Sequence, residues 1–426
     1  MAFSDVCKVY RQGEKFLVLN PSVPSWLVTN VNGVLLLKLY SAEKSFEDIA
    51  EEFRLHAPDF SASSVIKFLE HAERERLFRE PTKLDDYKPF PLRTVYLNIT
   101  EHCNLRCIYC INKLRVEERR ELFFADYKRL LDEIADMKPE VKITFTGGEP
   151  LTSPLTIPIA EYAKKLGIKC TLMTNATLID ASNIETLTRL FSKFQISVDG
   201  SDAATHDFYR GKGSYAKTER AIELLRAHGA EIKLMMVVTK KNMNDVAAVS
   251  KKWGNLIGFQ PLFPTIDAKF YSELKLSGKD YFEAMANTSK NIRLYEFLQK
   301  IGEHYATRKT LLKCGVGECQ VSISHSGDVY PCTLLHNPQF KAGNITENSL
   351  SEIYNSPAMN RIKFHTAEHI DKCRTCDFKL ICGGSCQARN FLESGDLDKG
   401  GGDFCEYDKQ AIIHELMNSA ELSELQ

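Results

Sequence analysis

The chain has 426 residues, 43% of them hydrophobic and 26% charged, with 55 basic residues against 56 acidic ones. That length predicts two or three domains, and the near balance of charge excludes the basic footprint of a nucleic-acid or anionic-membrane binder. No apolar run approaches membrane-spanning length. The amino terminus, MAFSDVCKVYRQGEKF, has no basic-then-apolar export pattern, so the expected location is cytoplasmic.

Against that background the thirteen cysteines stand out. A long, unexported chain keeps its thiols reduced, and cysteines clustered at short spacing then read as metal ligands or catalytic groups. Three lie between residues 103 and 110 and eight between 314 and 405. Only Cys7 and Cys170 stand alone, and both read as small buried apolar residues.

Residues 1–85 form a first unit. The β-like pieces KVYR, KFLVLN and SWLVTN are separated by turn formers at Gly13 and Asn20-Pro21-Ser22. Three helical patterns follow, NVNGVLLLKLY, SFEDIAEEFR and SASSVIKFLEHAERERLF, with Ser45 and Ser61 as N-cap candidates. A small β-sheet followed by three helices is the outline of a winged helix. The proline-rich run EPTKLDDYKPFPLR then supplies a linker, placed at residues 86–92.

From residue 93 to 305 the pattern is strand then helix, repeated. The strands expected are RTVYLNIT, VKITFTG, KCTLMTN, FQISVDG, EIKLMMVVT and NLIGFQPL, with amphipathic stretches between them. Six such units imply a parallel sheet with helices outside, flat or curled toward a barrel. Chemistry in these folds sits at the carboxyl ends of the strands. The odd motifs fall there: the cysteine triplet after the first strand, TGGEP after the second, TNAT after the third, SVDG after the fourth. Residues 306–426 read as a loop-rich, cysteine-rich unit that needs cross-links or metal to hold it.

Metal and iron–sulfur sites usually take four protein ligands, whereas TEHCNLRCIYC offers three, at C-x3-C-x2-C. Three thiolates on a 4Fe-4S cluster leave one iron open to an outside ligand, which can receive an electron there. An incomplete zinc site is the alternative. The eight later cysteines have no histidine at ligand spacing, so they form an all-thiolate set suited to zinc or to iron–sulfur clusters.

The stretch CNLRCIYC, with Cys103, Cys107 and Cys110, resembles the radical S-adenosylmethionine signature, and Tyr109 holds its usual aromatic position. Over the six strand–helix units the resemblance continues. TGGEP (Gly147, Gly148, Glu149, Pro150) is similar to the loop that holds the methionine amino group. Asn175, Ser197 and Asp199 match positions near the ribose and methionine, and Arg210 matches the arginine that clamps the methionine carboxylate. Ala176 departs from the pattern, since a glycine often follows the Thr-Asn pair. The resemblance implies a partial (β/α)6 TIM-like barrel. It also implies reductive cleavage of S-adenosylmethionine to methionine and a 5′-deoxyadenosyl radical that abstracts a substrate hydrogen. An electron donor of the flavodoxin or ferredoxin type would supply the reductant.

The C-terminal cysteines resemble the SPASM extension of that family, which carries two auxiliary 4Fe-4S clusters. The resemblance assigns Cys314, Cys319, Cys332 and Cys386 to the first and Cys373, Cys376, Cys382 and Cys405 to the second, three clusters in all with the open one. The N-terminal unit resembles the peptide-recognition element of ribosomal-peptide maturation. There a leader peptide adds as a strand to the small sheet, which here implies a groove between Trp26–Asn30 and Val65–Phe78. The function implied is cross-linking, thioether or carbon–carbon, of a ribosomally made precursor peptide. Anaerobic sulfatase maturases, relatives with the same domains, place an aspartate where Thr333 stands, which argues against that activity. Two rivals are an enzyme of the same family acting on a small molecule or tetrapyrrole, and a zinc-stapled, non-catalytic peptide-binding protein.

Overall fold

The six strands expected from residue 93 onward all form, and they lie side by side in chain order. In the computed structural model, which describes residues 3–79, 88–114, 121–137, 139–264, 268–286 and 313–419, they are β4 (Thr94–Thr100), β5 (Lys142–Gly147), β6 (Cys170–Thr174), β7 (Lys193–Ser197), β8 (Ile232–Val238) and β9 (Ile257–Pro261). Each pairs in parallel with the next. One face of these strands carries Val95, Leu97, Phe145, Leu172, Phe194, Leu234 and Phe259, all buried in the main core. Against it pack the apolar stripes of the crossover helices, such as Leu130, Leu131 and Ile134 on Phe124–Asp136 and Ala221, Ile222 and Leu225 on Ser214–Ala227. Side chains alternate along a strand, so the opposite, inner face presents Tyr96, Asn98, Thr144, Met173, Gln195, Ser197 and Gln260. That polar interior is where a substrate and cofactor can be held.

The parallel sheet does not stop at β4. Three short strands from the C-terminal third, β10 (Gln320–Ile323), β11 (Asp328–Tyr330) and β12 (Gly343–Asn344), extend it to nine strands in the order β12-β11-β10-β4-β5-β6-β7-β8-β9. β10 runs parallel to β4, and buried Asn98 reaches across with its Nδ2 to the Ile323 carbonyl at 2.8 Å. Sequence periodicity reads this region as loop because strands of two to four residues are too short to display alternation. They are stable here as additions to an existing edge.

In the N-terminal unit, β1 (Lys8–Gln12), β2 (Lys15–Asn20) and β3 (Ser25–Thr29) form an antiparallel meander, with β2 in the centre. Helices α1 (Val31–Leu39), α2 (Phe46–His56) and α3 (Ala62–Arg74) follow. Their starts are fixed locally: Asn30 accepts from the Gly33 amide, Ser45 and Asp48 make a capping box, and Ser61 accepts from the Ser64 amide.

The sheet is covered on both faces. Val18 and Leu27 pack on Leu36, Leu37, Ile49, Phe68 and Leu69 from the three helices. Leu17, Leu19 and Val28, on the other face, pack on Phe378, Ile381, Ile412, Leu416 and Met417. The last three belong to helix Phe404–Ser419, which sequence reading leaves inside the loop-rich unit. Its covered side includes the half-buried Asp408, Lys409 and Glu415 among the apolar residues, so the sequence shows no clear amphipathic period. The helical pattern expected from Lys279 to about Tyr305 is described only as Gly278–Ala286; the rest, like residues 80–87 of the linker region, lies outside the described residues. Among the described residues no helix is long and apolar enough to cross a membrane.

Candidate active site and cysteine clusters

The loop after β4 carries Cys103, Cys107 and Cys110, and the loop after β5 lies directly on it. Gly148 donates its amide to the Thr100 carbonyl at 2.7 Å, and Glu149 donates to the His102 carbonyl at 2.8 Å. A Cβ at Gly147, whose φ is 125°, would overlap the Thr100 carbonyl oxygen, and one at Gly148 would overlap that of His102. Both glycines are therefore required by backbone meeting backbone. The loop that the resemblance assigns to the methionine amino group is thus packed directly on the cysteine loop.

Glu149 is buried and ties three motifs together. It accepts from the Leu151 amide (3.1 Å), the Thr174 hydroxyl (2.8 Å) and the Asn175 amide (2.8 Å). Burial raises its pKa, against the lowering effect of these donors. A carboxylate has about four acceptor positions, so an ammonium contact of the kind the resemblance implies would be its fourth. Pro150 opens the short turn that follows. Asn175 donates to Asn104 Oδ1 at 3.0 Å, with its amide nitrogen 3.9 Å from Cys103 Sγ. Ala176, at φ 62°, occupies the left-handed region. The glycine usual at that position is thus explained by backbone conformation.

A second brace grips the triplet from the other side. Arg210, at the end of helix Ala203–Arg210, bonds through Nε to Asp199 Oδ2 at 2.5 Å and through Nη2 to the Tyr109 hydroxyl at 2.8 Å. Its Nη1 lies 3.8 Å from Cys107 Sγ. The Tyr109 hydroxyl itself donates to Asp199, and burial pushes its pKa well above the ordinary tyrosine value, which keeps the proton on. Asp199 Oδ1 accepts from the Val237 amide at 3.1 Å, a third donor to this buried carboxylate. The resemblance assigns Asp199 and Arg210 to positions near S-adenosylmethionine, and the structure brings the two together as a buried ion pair beneath the cysteine loop. The helix bearing Arg210 shows no apolar stripe because it buries His206 and Arg210 beside Tyr209. Its Asp202 N-cap is the one signal that marks it. Ser197 sits half-buried at the carboxyl end of β7.

The three thiols of the loop feel one another's charge. Burial raises the pKa values of Cys103 and Cys107, with Cys110 adding to each and Arg210 opposing at Cys107. The eight later cysteines divide into two neighbourhoods. Cys314, Cys332 and Cys386 act on one another, and Cys319 joins Cys332 beside Tyr96. Cys373, Cys376 and Cys405 act on one another, and Cys382 joins Cys373 and Cys405. These are the interleaved sets that the SPASM resemblance implies.

The donor chemistry fits iron–sulfur clusters. All thirteen cysteines are free thiols. Burial pushes Cys373 up to about 11 and Cys332 up to about 12, so they become ligands only by yielding protons to a cation. Among the described residues no three His, Cys, Asp or Glu side chains converge on one ion. A four-iron cluster instead takes one thiolate per iron.

Comparison with known proteins places these observations. Residues 97–252 match the model of the radical SAM superfamily, and residues 314–377 match SPASM, an iron–sulfur cluster-binding domain. The chain is 30% identical to an AdoMet-dependent heme synthase of Oleidesulfovibrio alaskensis, over 74% of this chain and 87% of that one. It is 29% identical to the subtilosin biosynthesis protein AlbA of Bacillus subtilis (70% and 67% covered) and 28% identical to the mycofactocin maturase MftC of Mycobacterium ulcerans (70% and 84%). The fold matches SuiB of Streptococcus suis at TM-score 0.57 over 95% of this chain and 100% of that one, at 16% identity. It matches anSMEcpe with bound AdoMet at 0.63 over 77% and 98%, at 22% identity. With the cysteine loop, its two braces and the matched models in register, the chain belongs to the radical SAM superfamily and is a radical SAM enzyme carrying a SPASM iron–sulfur domain.

Proposed function

We propose that this enzyme is a peptide maturase that installs a cross-link, thioether or carbon–carbon, in a ribosomally made precursor whose leader docks on the N-terminal sheet. One observation carries the reading. Among the described residues β3 has no strand on its outer side, so its edge can accept an added strand. The face of the same sheet packs on the segment that holds Cys376 and Cys382. A leader on β3 would therefore deliver the peptide beside the auxiliary cysteines.

The comparisons support it. The likeness to SuiB, a structure of which has bound precursor peptide SuiA, covers 95% of this chain, which leaves too few residues unmatched to omit the N-terminal unit. The likeness to anSMEcpe covers 77%. AlbA is named for biosynthesis of the antilisterial bacteriocin subtilosin, and MftC as a mycofactocin maturase.

In this reading Cys103, Cys107 and Cys110 hold a cluster with one open iron. Cys314, Cys319, Cys332 and Cys386 hold a first auxiliary cluster, and Cys373, Cys376, Cys382 and Cys405 a second. With S-adenosylmethionine bound, the open cluster supplies the 5′-deoxyadenosyl radical when reduced by a flavodoxin- or ferredoxin-type donor. The chain's own residues fix where that happens. Glu149 and Asn175 set the loops around the cofactor, Arg210 and Tyr109 hold the cysteine loop in place, and burial of Glu149, Asp199, Arg210 and Tyr109 keeps water out of the two braces.

A second reading, modification of a tetrapyrrole, is favoured by the heme synthase relatives. The two separate cleanly in one experiment. The anaerobically loaded enzyme, with S-adenosylmethionine and reductant, is given either the leader-bearing peptides translated from short open reading frames near its gene or a tetrapyrrole. We expect a peptide lighter by two hydrogens per bond formed, with turnover dependent on the leader. Tetrapyrrole conversion with untouched peptide would overturn the proposal.

A further inference from the structure

Arg389 lies in helix Gln387–Ser394, one turn beyond Cys386, and is only 6% exposed. Its guanidinium sits over two rings, 4.2 Å from the centroid of Phe404 and 5.0 Å from that of Phe263. Its Nη2 is buried with no hydrogen-bond partner among the described residues. The charge of Glu393 reaches it, and Asp403 lies near Glu393. Glu393 takes the Tyr271 hydroxyl, and Asp403 accepts the Gly278 amide at 3.1 Å. A buried guanidinium nitrogen without an acceptor is costly, and a guanidinium resting on two aromatic rings is restrained in orientation.

That side chain lines a cavity of about 590 Å³. The same cavity is lined by Tyr96 and Gln260 from the inner face of the barrel strands, by Cys314, Cys332 and Cys386 of the first auxiliary set and by Cys382 of the second. It therefore runs from the barrel interior, where the radical forms, to both auxiliary sites. Arg389 is its one cationic lining group, facing a wall that also holds Asp408, which accepts the Ser385 hydroxyl at 3.1 Å; a chamber with a few polar groups at fixed places is the form a ligand-orienting site takes.

We propose that Arg389 is a substrate-binding residue whose Nη2 receives a carboxylate of the substrate, fixing the reacting segment inside this chamber. A peptide offers two sources of that group, an acidic side chain and its C-terminus. The inference rests on reading the chamber as the substrate site of a radical SAM enzyme, and not on the leader-docking proposal.

The test uses the fully loaded, anaerobic enzyme and saturation-transfer NMR with two probe pairs. One pair is N-acetylglutamate α-amide and its glutamine counterpart; the other is N-acetylphenylalanine and its amide. Wild type should bind at least one carboxylate about tenfold more tightly than its amide, the worth of one charge-assisted hydrogen bond. The pair that discriminates identifies the source. Arg389→Gln should erase the preference while keeping iron content and electron-paramagnetic-resonance signals, and Arg389→Lys should retain part of it. A preference absent from wild type, or preserved in Arg389→Gln, overturns the proposal. So does an altered auxiliary-cluster signal or iron loss in both variants, because the guanidinium would then serve a cluster. No precursor peptide enters this experiment, so its failure leaves the maturase reading standing.

Discussion

Arg210 and Asp199 meet at 2.5 Å, with Asp199 fully buried and Arg210 nearly so, and through Tyr109 and Cys107 the pair reaches the cysteine loop. Removing one partner of such a pair leaves an uncompensated buried charge, at a cost of about 3–5 kcal/mol. Asp199→Asn should therefore lower the denaturation midpoint sharply and weaken S-adenosylmethionine binding. Unchanged stability together with unchanged cofactor affinity would show that the pair does not mount the loop.

Gly148→Ala tests the apposition of the two loops. A methyl there meets the His102 and Glu101 carbonyls, neither of which can move without moving Cys103. Overpacking of this kind costs about 1–3 kcal/mol, and the distortion is local. Iron should fall from about 12 to about 8 per chain, four irons being lost with one site. Equal loss from all three sites would point to general unfolding instead.

Ala176 is buried at φ 62°. Ala176→Gly should be neutral or slightly stabilising, because relief of the left-handed strain, about 1 kcal/mol, offsets the entropy that glycine loses on folding. Ala176→Val should cost about 2 kcal/mol or more, since it adds volume and a branched Cβ to the same conformation. Chemical denaturation of the two variants decides; the reverse order would contradict the conformational explanation.

His206 gives a pH signature. Burial, helped by Arg210, lowers its pKa from 6.5 to about 4 in the folded chain, and its Nδ1 accepts the Asp199 amide at 3.3 Å. The unfolded chain takes up the proton first as pH falls. This contribution is thus complete above about pH 6.5 and is lost as pH drops toward 4, to a total of about 3 kcal/mol. His206→Asn should flatten stability against pH across that window. A mutant curve as steep as wild type would remove His206 from the account.

Deleting residues 1–85 should not yield a well-behaved core. It would uncover Phe378, Ile381, Ile412 and Leu416, which the face of β2 and β3 now covers. Size-exclusion chromatography should show aggregation, and a monodisperse, fully iron-loaded product would mean that the sheet is merely tethered.

The parallel sheet and the rim position of the motifs were legible because long strands with regular alternation leave a strong period, as in TVYLNIT and IKLMMVV. The caps at Ser45 and Ser61 were legible for a similar reason, since one side chain and one amide decide them. What escaped depends on partners distant in sequence. β10 to β12 exist by adding to β4, helix Phe404–Ser419 is held by several neighbours at once, and the Asp199–Arg210 pair forms where a strand end meets a helix end. The site residues Gly147, Gly148 and Glu149 were found, yet their contacts with the cysteine loop could not be, because a motif names residues and not what they touch. Arg389 left no signal at all; an arginine one turn after a cysteine becomes notable only when it is seen buried between two rings.

The most direct test of the central claim, that Cys103, Cys107 and Cys110 alone form the open and reactive site, is the triple alanine variant at those positions. It should retain about 8 irons per chain and release no 5′-deoxyadenosine from S-adenosylmethionine under reduction, where wild type releases it readily. Continued release of 5′-deoxyadenosine, or loss of all iron, would contradict the account.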